Sequence, residues 1–243
     1  YATTRTGKEI TIPFKGFSWA RRSLHRGWYG PPIYKASQVV SRGDVIYVRQ
    51  MEQSWELSQV PAVDAALVAL NPQDGQIEAL VGGLNFSNSK FNRATQSGRQ
   101  PGSSFKPFIY TAALAKGYTL ATLINDAPLA IYDPSQPNSL YRPHNSTHTF
   151  SGPTRLKEAL VQSKNLVSLR ILDDIGIDYA TDYVQRFGFP KETLPKGLSL
   201  ALGSLSVSPL ELTTAYAIFA NKGFRVQPYL ISSVTDLSGK VLL

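Results

Sequence analysis

The spacing of apolar residues changes along this chain, and the change divides it. Residues 1–54 hold only short apolar runs, Ile10-Thr11-Ile12 and Val45-Ile46-Tyr47-Val48, broken by Gly27, Gly30, Pro31, Pro32 and Gly43-Asp44. Short runs between turn residues predict strands, so residues 1–54 are expected to form a small β module. Residues 55–243 are expected to form a second domain. It opens with two strand-like runs, Ala65–Leu70 and Gln76–Val81, joined by Asn71-Pro72-Gln73-Asp74-Gly75. That turn chemistry predicts a β-hairpin. Helical spacing follows. Phe108 to Ala115 is apolar and stops at Gly117. Thr154 reads as the N-cap of a helix in which Leu156, Ala159, Leu160 and Ser163 share a face. Residues 168–174 and 178–187 read as helical, with Gly176 and Gly188 as breakers. Glu211 to Asn221 is a further amphipathic helix stopped at Gly223. Tyr229–Val234 and Lys240–Leu243 predict a closing hairpin. Strands, then helices, then strands imply an α/β or α+β fold, a helical block against an antiparallel sheet.

Composition narrows the chemistry. With 42% hydrophobic and 17% charged residues, the 243-residue chain has the make-up of a packed globular protein. It has no cysteine, which excludes disulfides, thiolate metal sites and thiol catalysis. No stretch reaches the roughly 18 apolar residues of a membrane span. The net charge is +8, and residues 1–54 carry nine Lys/Arg against three acidic residues. A basic module attracts anionic partners, although a solvated basic surface has the same composition. His25, His144 and His148 lack metal-ligand spacing and read as loop histidines. No cofactor is expected. The first residues lack a signal-peptide core, and the chain reads as an excised piece of a longer protein.

The candidate chemistry lies at Ser103-Ser104-Phe105-Lys106, between the turn Gly98–Gly102 and the apolar run at Phe108. Residues three apart on a helix share a face, so Ser103 and Lys106 point into one space. A hydroxyl beside an amine at a helix start is an activatable nucleophile. Ser104, about 200° round a helix from Lys106, faces away. Ser87-Asn88-Ser89-Lys90 has the same spacing but lies in a turn. Ser163-Lys164-Asn165 sits at a predicted helix end, where a bend would bring its hydroxyl and amide into one cleft.

Ser-x-x-Lys followed by Ser-x-Asn is a signature of penicillin-binding proteins and serine β-lactamases. Arg99 to Pro107, Phe91 to Ala94, Gly152 to Leu160, Leu200 to Ser204 and Ala215 to Gly223 resemble the transpeptidase domain of class A, bifunctional penicillin-binding proteins. The resemblance covers about residues 56–243. Residues 1–54 resemble part of the OB-like domain of Gram-negative members. The resemblance implies the transpeptidase fold shared with serine β-lactamases, and acyl transfer from a D-alanyl-D-alanine stem peptide to Ser103. Lys106 is then the base, Ser163 the proton relay to the departing amine, and Asn165 the holder of the substrate amide. The backbone N–H of Ser103 is an expected oxyanion donor. An amine of a neighbouring stem peptide would close the cross-link, and β-lactams would be trapped on Ser103. The family also implies a periplasmic location at the inner membrane of a Gram-negative bacterium, through an anchor outside this chain. An outer-membrane or periplasmic regulator on the basic module is a further implied partner. Nucleic acid is not an expected partner.

The family's Lys-Thr/Ser-Gly triplet does not follow Ser163-x-Asn165 here. Ser238-Gly239-Lys240 runs in reverse, and Arg5-Thr6-Gly7 precedes the nucleophile. The expectation is that this strand lies beyond Leu243, together with its part of carboxylate recognition and the second oxyanion donor. Two rivals stand beside this reading. A serine β-lactamase needs a water-activating base, and none is assigned; Glu158 lies near Ser163 in sequence, but its helical position does not place it in the cleft. A penicillin sensor, or a basic aromatic module that stacks on nucleic acid or glycan, is the binding alternative.

Overall fold

A computed structural model describes residues 1–132 and 140–242, apart from the Arg26 side chain. The chain forms two compact units, Tyr1–Asp64 and Ala65–Leu243.

The first unit is built from two short antiparallel ladders. Strand β1 (Ala2–Thr3) pairs with β2 (Glu9–Ile10), and β3 (Tyr47–Gln50) pairs with β4 (Trp55–Ser58). The second ladder straddles the change of character at Trp55, which is why the first unit runs on to Asp64. Trp28 and Tyr29 lie exposed on this unit, and Trp19 is half-exposed.

The second unit opens with the predicted hairpin, β5 (Leu67–Leu70) against β6 (Ile77–Val81), with a register shift at Ala69/Leu70. The Asp74-Gly75 turn closes it, and Gly75 N–H donates to Asn71 O at 3.0 Å. The closing hairpin predicted for the C-terminal segment is present as a short pairing: Thr235 bridges Val241, the Asp236 N–H donates to Lys240 O at 2.9 Å, and the Leu242 N–H donates to Val234 O at 2.6 Å. The Asp236 carboxylate accepts the N–H groups of Ser238 and Lys240 and so organises the turn at its tip. The predicted Leu243 end lies outside the described residues.

Helix α1 (Arg93–Gln96) precedes the candidate nucleophile, and α2 (Lys106–Ala115) follows it. Strand β7 (Leu123–Asp126) is followed by β8 (Ile131–Tyr132) and β9 (Leu140–Tyr141), which pair with each other. Strand β10 (Gly152–Arg155) pairs back on β7. Thr154 is therefore a strand residue facing Ile124, and the expected N-cap role falls to Arg155. Pro153, which favours extended backbone, sits inside that strand.

The remaining helices are α3 (Leu156–Val161), α4 (Asn165–Ile175), α5 (Ile177–Val184) and α6 (Pro209–Ala220). Helix α6 starts on a capping box. Ser208 Oγ accepts the Glu211 N–H at 3.2 Å, and the Glu211 carboxylate accepts the Ser208 N–H at 2.7 Å. Small antiparallel ladders with a helical block fit the expected α/β class.

The core of the second unit gathers on α2 and α4. Phe105, Phe108, Ile109, Leu169, Ile171 and Leu172 are fully buried. The Phe108 ring meets Phe105, Phe187, Phe189, Tyr216 and Phe219, with ring centres 4.9–5.4 Å apart. Aromatic pairs at such spacing add to the gain from burial. Truncating Phe108 to alanine is expected to cost about 3–5 kcal/mol of stability, read from the denaturant midpoint.

Candidate active site

Ser103 and Lys106 lie where a short 3-10 turn, Gly102–Phe105, passes into α2. In a 3-10 turn residues three apart eclipse, so both side chains leave the same side. The Lys106 N–H donates to Ser103 O and closes the turn. Ser103 is exposed, whereas Lys106 is fully buried.

The turn is pinned from two directions. Arg99 exchanges backbone hydrogen bonds with Val207, and Gly102 N–H donates to Gly203 O at 3.2 Å. Gly203 has φ +70°, and a Cβ built there would lie 2.1 Å from Gly102 O. On the other side Tyr216 Oη donates to Ser104 O at 2.6 Å. The Ser104 hydroxyl is spent on Pro101 O, also at 2.6 Å, and the structure therefore separates it from the Ser103 side of the turn. The decoy Ser87-x-x-Lys90 lies in a turn, with Lys90 exposed beside the Phe86 ring.

The Ser163 segment differs from its expected form, and the difference builds the site. The helix does not run through it. Helix α3 ends at Val161, and Ser163 takes a left-handed conformation, φ +53°. Lys164 N–H donates to Ala159 O at 2.9 Å and Ser163 N–H to Leu160 O at 3.0 Å. This is a Schellman ending, with serine in the place that usually favours glycine. A β-carbon there carries a conformational cost, and such costs concentrate at functional sites.

The reversal at Ser163 turns three acceptors onto one amine. Lys106 Nζ donates to Ser163 O at 2.6 Å, to Ser163 Oγ at 3.0 Å and to Asn165 Oδ1 at 2.7 Å. Burial lowers the Lys106 pKa from 10.5 to about 8. A neutral amine has two N–H groups and one lone pair. If Ser163 O and Asn165 Oδ1 take the two N–H groups, the lone pair is left for a hydroxyl. The structure thus brings Lys106, Ser163 and Asn165 into direct contact, with Ser103 one turn away.

Three other residues join this cluster without any signal in the sequence spacing. Asn165 Nδ2 donates to His144 O at 2.9 Å, and the Asn165 N–H to Asn145 Oδ1 at 2.9 Å. Asp126, fully buried, lies 3.1 Å from Lys164 Nζ. Burial would raise its pKa, but hydrogen bonds from Asn145, Lys164 and the Ser151 N–H outweigh burial and hold it below 3.8. The His144 and His148 rings lie 5.8 Å apart, and among the described residues no group of three metal-ligating side chains forms. Glu158 lines an open groove with Leu120, Ala121, Arg155, Lys157, Val161 and Gln162. None of the four candidate residues lines that groove, and the Glu158 carboxylate lies 4.0 Å from Arg155.

One strand-and-helix unit thus carries an exposed serine, a buried lysine one turn on, and a Ser-x-Asn turn that meets the lysine. The sequence profile described as the penicillin binding protein transpeptidase domain matches residues 65–241, and the penicillin-binding protein OB-like domain matches residues 1–63. The chain belongs to the penicillin-binding protein transpeptidase family. Penicillin-binding protein 1A of Pseudomonas aeruginosa is 45% identical over 240 residues, 98% of this chain and 29% of that protein. The crystal structure of penicillin-binding protein 1A from Haemophilus influenzae superposes with a TM-score of 0.75 at 46% identity, over 82% of this chain and 29% of that one. The penicillin G acyl-enzyme complex of penicillin-binding protein A from M. tuberculosis gives 0.61 at 26% identity, over 73% of this chain and 51% of that one. The chain therefore spans less than a third of the length of the penicillin-binding proteins 1A it matches.

Proposed function

We propose that this chain carries the serine centre of a peptidoglycan D,D-transpeptidase, acylated both by stem peptides and by β-lactams. The observation that carries the reading is the buried Lys106 amine held by Ser163 and Asn165, one turn from an exposed Ser103. The acyl-enzyme named for the M. tuberculosis relative supports the same chemistry here.

In this mechanism Ser103 Oγ attacks the carbonyl carbon between the two terminal D-alanines, and its proton passes to the neutral Lys106 Nζ. The tetrahedral intermediate collapses, the peptide C–N bond breaks, and the proton travels through Ser163 Oγ to the departing amine. D-alanine leaves and an ester on Ser103 remains. Asn165 holds the substrate amide. An acceptor amine then attacks the ester carbonyl, gives up its proton through the same relay, and frees Ser103. A base works best with a pKa near the working pH, which burial of Lys106 provides.

The division we propose is an OB-like module up to Asp64, followed by the transpeptidase part. An inner-membrane, periplasmic setting with a regulator on the basic module completes the reading. No helix among the described residues is long and apolar enough to cross a membrane.

The test is penicillin treatment of the intact protein, followed by peptide mapping. A long-lived adduct on Ser103 is expected. Rapid turnover of the drug would assign the site to hydrolysis instead, and an adduct on another residue would remove Ser103 as the nucleophile.

A further inference from the structure

Helix α4 has no side-chain cap of its own. Its N-cap residue is Lys164, whose side chain caps nothing. The first free N–H groups of a helix need partners, and here they come from twenty residues away. Asn145 Oδ1 accepts the Asn165 N–H at 2.9 Å and the Leu166 N–H at 3.4 Å. The rest of the Asn145 amide is committed as well. Its Nδ2 donates to Asp126 Oδ1 at 2.7 Å and to Thr149 O at 2.9 Å.

Asp126 in turn ties down the residue between Ser163 and Asn165. Its Oδ2 lies 3.1 Å from Lys164 Nζ and accepts the Ser151 N–H at 3.0 Å. Lys164 Nζ also donates to Ser151 Oγ at 2.8 Å. Asp126 is 0% exposed, Asn145 3% and Lys164 7%. Arg170 of α4 fastens the same strand end by donating to the carbonyls of Asn125, Ala127 and Pro128.

We propose that Asn145 and Asp126 are positioning residues for acyl transfer, acting through the α4 N-terminus to aim Asn165 and Ser163 at the Lys106 amine.

The inference rests on the proposed acyl-serine reading and concerns how its geometry is kept. Asn165 is gripped at its backbone by Asn145 and at its side chain by the His144 carbonyl. Its Oδ1 then has one orientation, toward Lys106 Nζ at 2.7 Å. Ser163 stands in a left-handed turn with α3 behind it and the anchored Lys164 ahead. Burying a carboxylate and an ammonium is costly, and apolar residues of like volume could fill the same space. What apolar residues could not supply is direction. A fully satisfied buried polar network fixes one arrangement, and a small misplacement of a reacting group slows chemistry steeply.

The experiment uses the intact protein with a fluorescent penicillin, separating the drug's dissociation constant from the maximal acylation rate and normalising to the acylatable fraction. Asn145→Ala is expected to lower the maximal rate by about tenfold or more, with drug binding little changed. Lys116→Met is the control. Lys116 Nζ donates to Ile175 O at the opposite end of α4, so its loss is expected to lower the melting temperature and leave the acylation rate unchanged. If Asn145→Ala does not fold, Asp126→Asn takes its place. It keeps the shape and releases the Lys164 pairing, and a smaller loss confined to the maximal rate is expected. A wild-type acylation rate in the folded Asn145 or Asp126 variant overturns the positioning role. So does an equal loss of rate in Lys116→Met, which would mean that any loosening of α4 suffices. Ser103→Ala runs beside them. Labelling that survives in it sinks the acyl-serine reading itself, a result separate from either outcome for Asn145.

Discussion

Replacing Lys106 by methionine is expected to slow β-lactam acylation by about a thousandfold, within the range that a positioned base contributes. Methionine has a similar unbranched stem and keeps the packing, so the loss isolates the amine. Lys106→Arg should lose as much, because a guanidinium does not give up its proton at working pH. If arginine restores the rate, positive charge rather than basicity is what the site needs. The pH profile carries the same argument. The acylation rate should rise through about pH 8 as the buried ammonium deprotonates. Stability is linked to the same shift. The unfolded amine titrates near 10.5 and the folded one near 8, so between these values the unfolded chain binds more protons. The contribution of this group to stability therefore grows with pH across that window. Below it both states are charged and the cost of burial is felt in full. A wild-type acylation rate in Lys106→Met would remove the lysine from the mechanism.

Gly203→Ala is expected to damage both stability and acylation. The added Cβ would meet Gly102 O at 2.1 Å, Gly102 N at 2.7 Å and Gly102 C at 2.8 Å, all of them backbone atoms. Its φ of +70° also disfavours any side chain. Strain and overpacking together are expected to cost about 2–4 kcal/mol. The segment that must yield is the turn bearing Ser103, so acylation should fall even in the molecules that remain folded. Thermal melting combined with penicillin titration checks both. Gly197→Ala makes the comparison, because a Cβ there meets nothing within 4 Å and φ is ordinary. If the two variants behave alike, the Gly102–Gly203 approach is not what holds the turn.

The sequence made some of this legible. Periodicity located α2, α6 and the β5–β6 hairpin because each carries its own signals, a helical stripe or an Asp-Gly turn. Spacing also put Ser103 and Lys106 on one side of a turn. It did not show the break at Ser163. The apolar pattern of α3 continues through that residue, and a Schellman ending built on serine leaves no glycine to mark it. Thr154 read as a cap because it follows proline and precedes a helical stripe. Its pairing with Ile124 across β7 and β10 overrode that local preference. The support for α4 was hidden for a related reason. Its cap comes from Asn145 and its anchor from Asp126, and no local rule joins residues so far apart in sequence.

The contrast between an exposed Ser103 and a buried Lys106 bears on how small electrophiles would meet this protein. A surface reagent that seeks amines would find the exposed lysines, such as Lys90, and miss the one with the lowered pKa, which offers no area to solvent. The only handle the pair presents outward is the hydroxyl. A compound designed to react here must therefore open its acyl or related group toward Ser103, with the buried amine serving it from behind rather than competing for it.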